Sequence, residues 1–486
     1  MDYYNMLSDA FLGGQLSLFV EPSKELLDLQ DPYEPSMNQG LRLHDASLYN
    51  GKYYIYWGPT PALVLFIPFR WIFHKEMPDN LAIALFCFGG LVWSVLLLNM
   101  VTKTYFPHTP FWMRFAAVFC LSFSNVAPFI LRRPAVYEVA ISSGYFFLFG
   151  GLYWLLSGVL TERRARLWRL FLGSLLLGLA VGSRPHYVLA GMFLLLLWLK
   201  FLKEEYGYRA RHALRELLCL MMPFLLCLAL LGLYNYARFD SWTEFGVRYA
   251  LVGRTQLHRT LGANRILPNL FLYFLAPARV SLRFPFFRLA PSYPWTVPEG
   301  FLQPEPVAGI LTNIPFVNIL LLSPLYLFWR PQPPRPYLNW TMACFILLAL
   351  ALAGFVSTLS ATMRYLVDFA SLLLVPAIVV WFYLYEQLQD HRLARCLLGV
   401  ISTLLIGYGC FFNLGISMTG YYDLLRVRNP QTYESIRRLF IPLERLVRTY
   451  VPIHSAPSMP RPPSPRSEGS PPSSGGPPMT RPRAAP

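Results

Sequence analysis

Residues 80–103 read NLAIALFCFGGLVWSVLLLNMVTK and decide the class of protein. No charged residue stands between Asn80 and Lys103, and an α-helix needs about 20 apolar residues to cross a hydrocarbon core about 30 Å thick. The 486-residue chain is 55% hydrophobic and only 14% charged, with a mean hydropathy of +0.39. Soluble globular proteins carry about a quarter of their residues as charged side chains. The sequence therefore predicts an integral membrane protein and argues against a soluble enzyme.

Ten blocks of this kind are long and apolar enough to cross a membrane. They cover approximately residues 80–103, 112–132, 135–159, 167–183, 186–203, 215–236, 307–330, 338–358, 364–386 and 394–415. A backbone in lipid must satisfy its own hydrogen bonds, so each block is expected to be helical. The predicted fold is an all-α polytopic membrane protein with about ten visible transmembrane helices.

The basic residues orient these spans. The formal net charge is +16, and most of the excess lies in short connections. If the N-terminus is outside, the inner connections hold fifteen basic residues and the short outer connections hold four, as the positive-inside rule requires. The inner set is Lys103, Arg114, Arg163, Arg164, Arg166, Arg169, Lys200, Lys203, Arg209, Arg211, Arg215, Arg330, Arg335, Arg392 and Arg395. No basic stripe is interleaved with aromatic residues, so topology accounts for the charge and nucleic-acid binding is not predicted.

The same orientation divides the chain into segments. The predicted order is an outer loop with amphipathic helices (1–79), six spans (80–236), a large outer loop (237–306), four spans (307–415), an interfacial segment (416–455) and a tail (456–486). The tail is rich in Pro and Ser and is expected to be disordered. Ile266 to Leu282 is too interrupted by proline to span and is expected along the interface, and Tyr433 to Tyr450 is expected to form an amphipathic helix.

The start of the chain is unusual for this topology. An outer N-terminus with no signal peptide and no preceding span needs a special export step, and Met1 is followed at once by Asp2. We expect one further span upstream, which would make eleven.

Cysteine and histidine give no sign of a metal or disulfide site. The seven cysteines lie in or beside apolar blocks without a C-x-x-C pair, and the eight histidines include no HExxH pattern. The cysteines are interpreted as small core residues. No cofactor is predicted, and a divalent cation held by an acidic loop is the one possibility left open.

The N-terminal segment is the first candidate for chemistry. Ten of the 26 acidic residues lie before residue 80, and aromatic residues are interleaved with them. A carboxylate near a lipid surface suits a general base, because partial desolvation raises its pKa. The alternative is that these acids are solvated loop residues and helix caps. The candidates are Asp2, Asp9, Asp28, Asp31 and Asp45.

The second candidate is a row of cations at the outer edge. Arg132, Arg133, Arg184 and Arg364 lie in the short outer connections, with Glu138 and Asp368 just inside the adjoining spans. Arginine offers a planar fork for phosphate oxygens, and ionisable residues at membrane depth usually face a pocket or a partner. The alternative is interfacial snorkelling together with ion pairs that only fix helices.

The sequence has no nucleotide-binding motif. It contains no Walker A loop, no G-x-G-x-x-G after a strand and no G-x-S-x-G elbow. A transferase built in this way would have to take its activated donor from the lipid phase.

Several motifs resemble those of one family. They are DYYNMLSDAFLGGQL (residues 2–16), NGKYYIYWGPTPALVLFIPF (50–69), GLAVGSRPH (178–186), YNYARFDSWTEFG (234–246) and MRYLVDF (363–369). In this order and spacing the chain is similar, from about residue 2 to about residue 440, to the C-type (GT-C) glycosyltransferases. These multispan enzymes use polyprenyl-phosphate-linked sugars and include protein O-mannosyltransferases and lipid A aminoarabinose transferases. The family's first span is missing here, which agrees with the topology.

The resemblance implies an inverting sugar transfer at the outer membrane face. Asp2 stands at the position of the family's catalytic base, and Arg184 and Arg364 match its outer-edge arginines, which stabilise the leaving lipid phosphate. Arg132, Arg133 and Glu138 join the substrate- and phosphate-binding set by position alone. Asp45 and Tyr54, from the N-terminal segment, complete that set.

The predicted function is therefore a membrane glycosyltransferase. The expected partners are a polyprenyl-phosphate sugar, an acceptor lipid, polysaccharide or protein, and the surrounding membrane lipids, with no nucleic acid. The protein is expected in the cell membrane, with its active site on the extracytoplasmic side. Two alternatives stay open at this point: a transporter or flippase of a lipid-linked glycan, and a non-catalytic scaffold.

Overall fold

The architecture comes from a computed structural model, which describes residues 2–160, 163–204, 214–253, 262–289, 305–324, 336–420 and 423–450. The chain divides into two units, residues 1–439 and 440–486. The first is mainly helical, and in the second the described residues 440–450 are helical. The predicted tail from residue 456 to 486 lies outside the described residues, as do Arg209, Arg211, Arg330 and Arg335.

The elements follow one another mostly as helices. The α-helices are α1 (Tyr3–Leu12), α2 (Lys24–Leu27), α3 (Ile67–Phe73), α4 (Asp79–Tyr105), α5 (Phe111–Phe123), α6 (Ala127–Ile130), α7 (Val136–Val159), α8 (Arg163–Ser183), α9 (Ala190–Glu204), α10 (Leu214–Phe239), α11 (Ile266–Phe274), α12 (Ile310–Asn313), α13 (Pro336–Ser357), α14 (Ala370–Gln387), α15 (Arg392–Thr419), α16 (Leu424–Arg428) and α17 (Pro430–Tyr450). Strands β1 (Ser47–Tyr49) and β2 (Lys52–Tyr54) form one antiparallel pair, and β3 (Arg279–Val280) and β4 (Phe287–Arg288) form another.

The prediction of an all-α polytopic membrane protein is confirmed. Within the described ranges, nine helical segments are long and apolar enough to cross a membrane, and they correspond to nine of the ten predicted blocks. The block at 307–330 differs, because it begins with the short helix α12 and continues as a 3-10 helix over Pro315–Leu322. The rest of that block, from residue 325, is not among the described residues.

Two helices form the centre of the bundle. Most of α7 and α14 is buried, whereas α10 and α15 present broad apolar faces outward, as lipid-facing helices do. Helix α7 packs between α4 and α8. At the α7–α8 contact a Cβ on Gly151 would lie 3.0 Å from the Gly173 carbonyl oxygen, so these glycines let the two backbones approach closely.

The N-terminal segment folds back onto one end of the bundle. Strands β1 and β2 turn at Asn50 and Gly51, both with positive φ, which suits the mirror-image turn of a two-residue hairpin. The strand residue Ser47 donates a hydrogen bond to the Gly246 carbonyl at 2.9 Å, and this ties the segment to the large outer loop. An apolar helical stretch over Ala62–Phe73 follows, as the amphipathic pattern predicted.

Two further helices lie in stretches for which an interfacial position is predicted. Helix α11 covers nine residues, too few to cross a membrane, in agreement with the prediction for Ile266 to Leu282. Helix α17 includes the predicted stretch from Tyr433 to Tyr450.

Candidate active site

Arg184, directly after α8, is held by a buried carboxylate. One guanidinium nitrogen lies 3.0 Å from the Asp368 Oδ2, and the Nε2 of His186 lies 3.2 Å from the same oxygen. The Tyr187 hydroxyl donates to the Asp368 Oδ1 at 2.9 Å. The Asp368 side chain is fully buried, so removing any partner would leave charge uncompensated. These contacts fix the start of α9 to the 3-10 turn Met363–Asp368.

Arg364, on that same turn, lies between two carboxylates. Its Nη1 is 3.2 Å from the Glu305 Oε2 and 3.8 Å from the Glu138 Oε1. Glu138 is almost fully buried at the start of α7, and neither of its carboxylate oxygens has a hydrogen-bond partner within the described chain. Glu305 retains a third of its exposure and accepts a hydrogen bond from the Thr362 hydroxyl. Glu305 is therefore the more accessible of the two partners.

The two arginines both lie close to one aromatic ring. The guanidinium carbon of Arg184 lies 4.8 Å from the centre of the Tyr365 ring, and that of Arg364 lies 5.8 Å from the same centre. Arg364 also lies 4.7 Å from the centre of the Tyr137 ring. The site thus combines two cations with the π-faces of two tyrosines, an arrangement that holds guanidinium groups in place.

Asp45 connects the N-terminal segment to this cluster. Its backbone has φ of +68°, a left-handed conformation in which aspartate is among the more tolerant residues. Its amide donates to the Leu251 carbonyl at 3.0 Å, so the large outer loop fixes its position. The side chain is 15% exposed, and its charge acts on the hydroxyls of Tyr3, Tyr56 and Tyr137. Asp45 is therefore a carboxylate within an aromatic pocket that retains access to solvent.

A pair of tyrosines lies near Asp45, and one of them, Tyr137, also lies against Arg364. The hydroxyls of Tyr56 and Tyr137 are 3.2 Å apart. Burial raises the pKa of Tyr56 well above its ordinary value, and the nearby hydroxyl of Tyr137 and charge of Asp45 raise it further. Tyr56 therefore keeps its proton at neutral pH and serves as a hydrogen-bond donor. The Trp57 ring packs against both tyrosines, with centroid distances of 4.2 and 5.2 Å.

Asp2 lies in a different environment. It is the exposed residue before α1, its side chain makes no capping hydrogen bond, and its charge acts on Asp79 at the start of α4. Through the described part of the chain Asp2 forms no ion pair with an arginine. Its role as general base stays a prediction, and its neighbours differ from those of Asp45.

Tyr54 lies beside another cation. Its ring is 5.4 Å from that of Phe239, and its hydroxyl is influenced by Arg238. Arg238 is buried, and one of its nitrogens donates to the Ile55 carbonyl at 2.6 Å while another donates to Asn235. Tyr54 thus belongs to the contact that fastens the N-terminal segment to α10. A substrate contact for Tyr54 stays a prediction.

The remaining two outer arginines flank the cluster. Arg133 is close enough to Glu138 for their charges to interact. The side chain of Arg132 reaches toward Gly420, where a Cβ would lie 3.1 Å from its Cγ. Of the predicted row, Arg133 and Arg364 therefore lie near Glu138 and Arg184 binds Asp368, whereas Arg132 points toward the end of α15.

Several site residues were not predicted from the sequence. Tyr56, Tyr137, Tyr365 and Glu305 belong to the cluster. Tyr56 and Tyr365 stand inside two of the quoted motifs, at 50–69 and 363–369, whereas Tyr137 and Glu305 stand in no pattern that separates them from the chain's other tyrosines and glutamates. His186 and Tyr187 follow Arg184 directly, so the R-P-H-Y sequence could have pointed to them.

A metal centre has no support in the described ranges. Between residue 2 and residue 450, apart from the stretches already excluded, no group of three His, Cys, Asp or Glu side chains converges. The site must therefore be interpreted from its arginines, carboxylates and tyrosines.

Comparisons with known proteins returned structural likenesses alone. No protein-family model and no curated protein matches the chain. The chain is similar to two crystal structures of ArnT from Cupriavidus metallidurans, one in the apo state and one bound to undecaprenyl phosphate, at 12% identity and with TM-scores of 0.40 and 0.39. Each likeness covers 86% of this chain and 72% of the other. At this level the likeness does not bear on activity.

Proposed function

We propose that this protein is an integral membrane glycosyltransferase that moves a sugar from a polyprenyl-phosphate donor to an acceptor hydroxyl. The transfer takes place on the extracytoplasmic side, in the orientation that the basic connections favour. One observation carries the proposal: Asp45 and Arg364 both lie close to Tyr137, with the Arg364 guanidinium 4.7 Å from the ring centre and Asp45 near enough for its charge to act on the hydroxyl. A base and a cation beside the same side chain suit a displacement with a proton to remove and an anion to release.

Asp45 is the general base in this proposal. Its carboxylate lies among aromatic rings, and it keeps the solvent access that an acceptor molecule needs. Asp45 is held by the backbone of the large outer loop, so its position is fixed before substrate binds. The neutral hydroxyls of Tyr56 and Tyr137 then orient the acceptor or the sugar.

Arg364 binds the donor phosphate. Its present partner Glu305 is the more exposed of its two carboxylates, so the incoming phosphate would displace Glu305 and leave the buried Glu138 in place. Arg184 is bound to Asp368 and stabilises the Tyr365 ring on which both guanidiniums pack. Arg133 adds positive charge at the edge of the site.

The reaction is a single displacement. The acceptor hydroxyl gives its proton to the Asp45 carboxylate while its oxygen attacks the anomeric carbon. The bond from that carbon to the phosphate oxygen breaks, and its electron pair leaves with the polyprenyl phosphate. The charge on the leaving phosphate is stabilised by Arg364. One displacement inverts the anomeric centre.

The test uses the full chain in proteoliposomes with a panel of polyprenyl-phosphate hexoses and pentoses. Polyprenyl phosphate release and new glycosidic bonds are measured by mass spectrometry. Asp45→Asn should lower the rate by about 10²–10⁴, the usual contribution of a general base. Asp2→Asn is measured beside it, and Asp28→Asn, an exposed acid of the same segment, is the matched control.

The outcomes separate the hypotheses. Loss of transfer in Asp45→Asn alone supports the proposal. Loss in Asp2→Asn with full activity in Asp45→Asn returns the base to the residue that the sequence resemblance indicates. Movement of the lipid-linked sugar across the bilayer without bond formation, in the unmodified protein, would overturn the transferase proposal in favour of a carrier.

A further inference from the structure

A groove of about 530 Å³ opens at the end of the bundle opposite the candidate active site. It lies between the beginnings of α5 and α15 and the end of α14. Helix α14 has 18 residues and therefore separates the two sites by about 27 Å. The groove is lined by Trp112, Tyr385, Arg392, Arg395, Cys396, Gly399, Val400, Thr403 and Leu404. Its wall is mainly apolar, and its two cations are on the first turn of α15.

The two cations have no acidic partner among the described residues. In the described chain neither Arg392 nor Arg395 forms an ion pair, although Glu386 and Asp390 are close in sequence. The guanidinium of Arg395 stacks 4.0 Å from the centre of the Tyr385 ring, which fixes its position. Its Nε is buried and has no hydrogen-bond partner among the described residues. A buried donor of this kind is costly unless something binds to it.

The helix itself adds to the positive field. Helix α15 is 28 residues long, and its N-cap residue His391 makes no side-chain capping hydrogen bond. The first N–H groups of a helix lack intrahelical partners and carry a partial positive charge, so they attract anions. The helix N-terminus and the two guanidiniums therefore surround the same corner of the groove.

The apolar part of the groove has the shape that a hydrocarbon chain requires. Gly399 carries no side chain, and a Cβ there would lie 3.1 Å from the Trp112 ring, so the glycine keeps this passage open. Val400 and Leu404 continue the apolar wall along α15 and are well exposed. A polar corner followed by an apolar channel along a membrane helix matches a lipid with an anionic headgroup.

We propose that this groove is a binding site for an anionic phospholipid. The phosphate is held by Arg392, Arg395 and the N-terminus of α15, and one acyl chain lies along Gly399 and Leu404 against Trp112. In the predicted orientation this end faces the inner leaflet, where anionic lipids attract basic residues. The site is independent of the proposed transferase activity.

The test measures lipid binding to the purified full chain by native mass spectrometry. Phosphatidylglycerol and phosphatidylcholine with the same acyl chains are titrated in parallel. The unmodified protein should prefer phosphatidylglycerol, and R392Q/R395Q should bind it about tenfold more weakly or worse, because each cation near an anionic lipid contributes to affinity. Lys103 is an exposed cation near the end of α4, at the same end of the bundle as the groove. K103Q removes this cation and is the matched control.

A second measurement does not depend on the arginines. Cys396 lines the groove and is exposed, so phosphatidylglycerol should slow its reaction with a maleimide several-fold, with no such effect from phosphatidylcholine. Equal binding of the two lipids, a preference that persists in R392Q/R395Q, or a Cys396 rate unaffected by lipid would each overturn the proposal. Protection of Cys396 that rises with protein concentration without lipid would instead indicate a second copy of the chain.

Discussion

Arginines at the two ends of α14 have opposite environments. At its N-terminal end Arg184 and Arg364 are mostly buried and bind carboxylates at 3.0 and 3.2 Å. At the other end Arg392 and Arg395 have no carboxylate partner in the described ranges and line an open groove. Buried charges must be compensated within the protein, whereas cations at a membrane surface can use lipid headgroups or water. The same residue type therefore builds a preorganised cluster at one end and an open cationic corner at the other.

The chain has a net charge of +16, and this difference shows where the acids that pair with its arginines lie. The carboxylates Glu138, Glu305 and Asp368 all lie with the outer arginines. Burying ion pairs costs desolvation free energy. Such pairs are therefore expected where side chains must be held in an exact geometry for a reaction. Substitutions at the two ends of α14 should therefore differ in their effects on stability and on transfer.

The largest effect is expected at the buried carboxylate. Asp368→Ala should lower the free energy of unfolding by about 3–5 kcal/mol, because it leaves Arg184 buried without its partner. Unfolding in detergent, followed by circular dichroism, measures the change. Asp368→Asn, which keeps an acceptor for the Tyr187 hydroxyl, should cost less. A loss below about 1 kcal/mol in the alanine variant would mean that Asp368 and its partners stabilise the fold no more than the groove arginines do.

The next effect concerns transfer. Arg364→Gln should lower kcat/KM by about 10²–10³, the usual result of removing one group that stabilises a developing anion. Arg364→Lys should recover part of the activity, because it restores the charge without the planar fork. Steady-state kinetics on the proteoliposome assay give both values. Equal activity of all three proteins would show that Arg364 only fixes helices.

A smaller effect with the opposite sign is expected at the neighbouring acid. Glu305→Gln should lower the donor KM about two- to fivefold with little change in kcat, because the phosphate no longer competes with a partly exposed carboxylate. Glu138→Gln is the contrasting variant, since Glu138 is buried. A raised KM in Glu305→Gln would instead assign Glu305 a direct contact with the substrate.

The smallest effect is expected at the opposite end. Arg392→Gln should change the free energy of unfolding by no more than about 0.5 kcal/mol in lipid-free detergent, because this exposed side chain has no ion pair in the described chain. The same detergent unfolding assay measures it. A loss of several kcal/mol would remove the contrast between the two ends of α14.

The sequence named several charged residues of the cluster but not the contacts between them. Arg184, Arg364, Glu138 and Asp45 were all named, and the structure places them at one end of the bundle. The motif position indicates Asp2 as the base. In the structure the charge of Asp2 acts on Asp79, and among the described residues Asp2 forms no ion pair with an arginine. A motif identifies the residue type that the chemistry needs, but two aspartates of one loop are equivalent until the loop is folded.

What the sequence determined by itself was local. Apolar blocks of about 20 residues predict spans, and the charges of the connections predict orientation, because each depends on neighbouring residues and on the bilayer. Only the tertiary structure decided which charges meet. Asp368 meets Tyr187 across 181 positions of sequence, and Asp45 takes its place from a hydrogen bond to Leu251 in another loop. Such contacts depend on helix packing over long separations, which hydropathy and local periodicity do not encode.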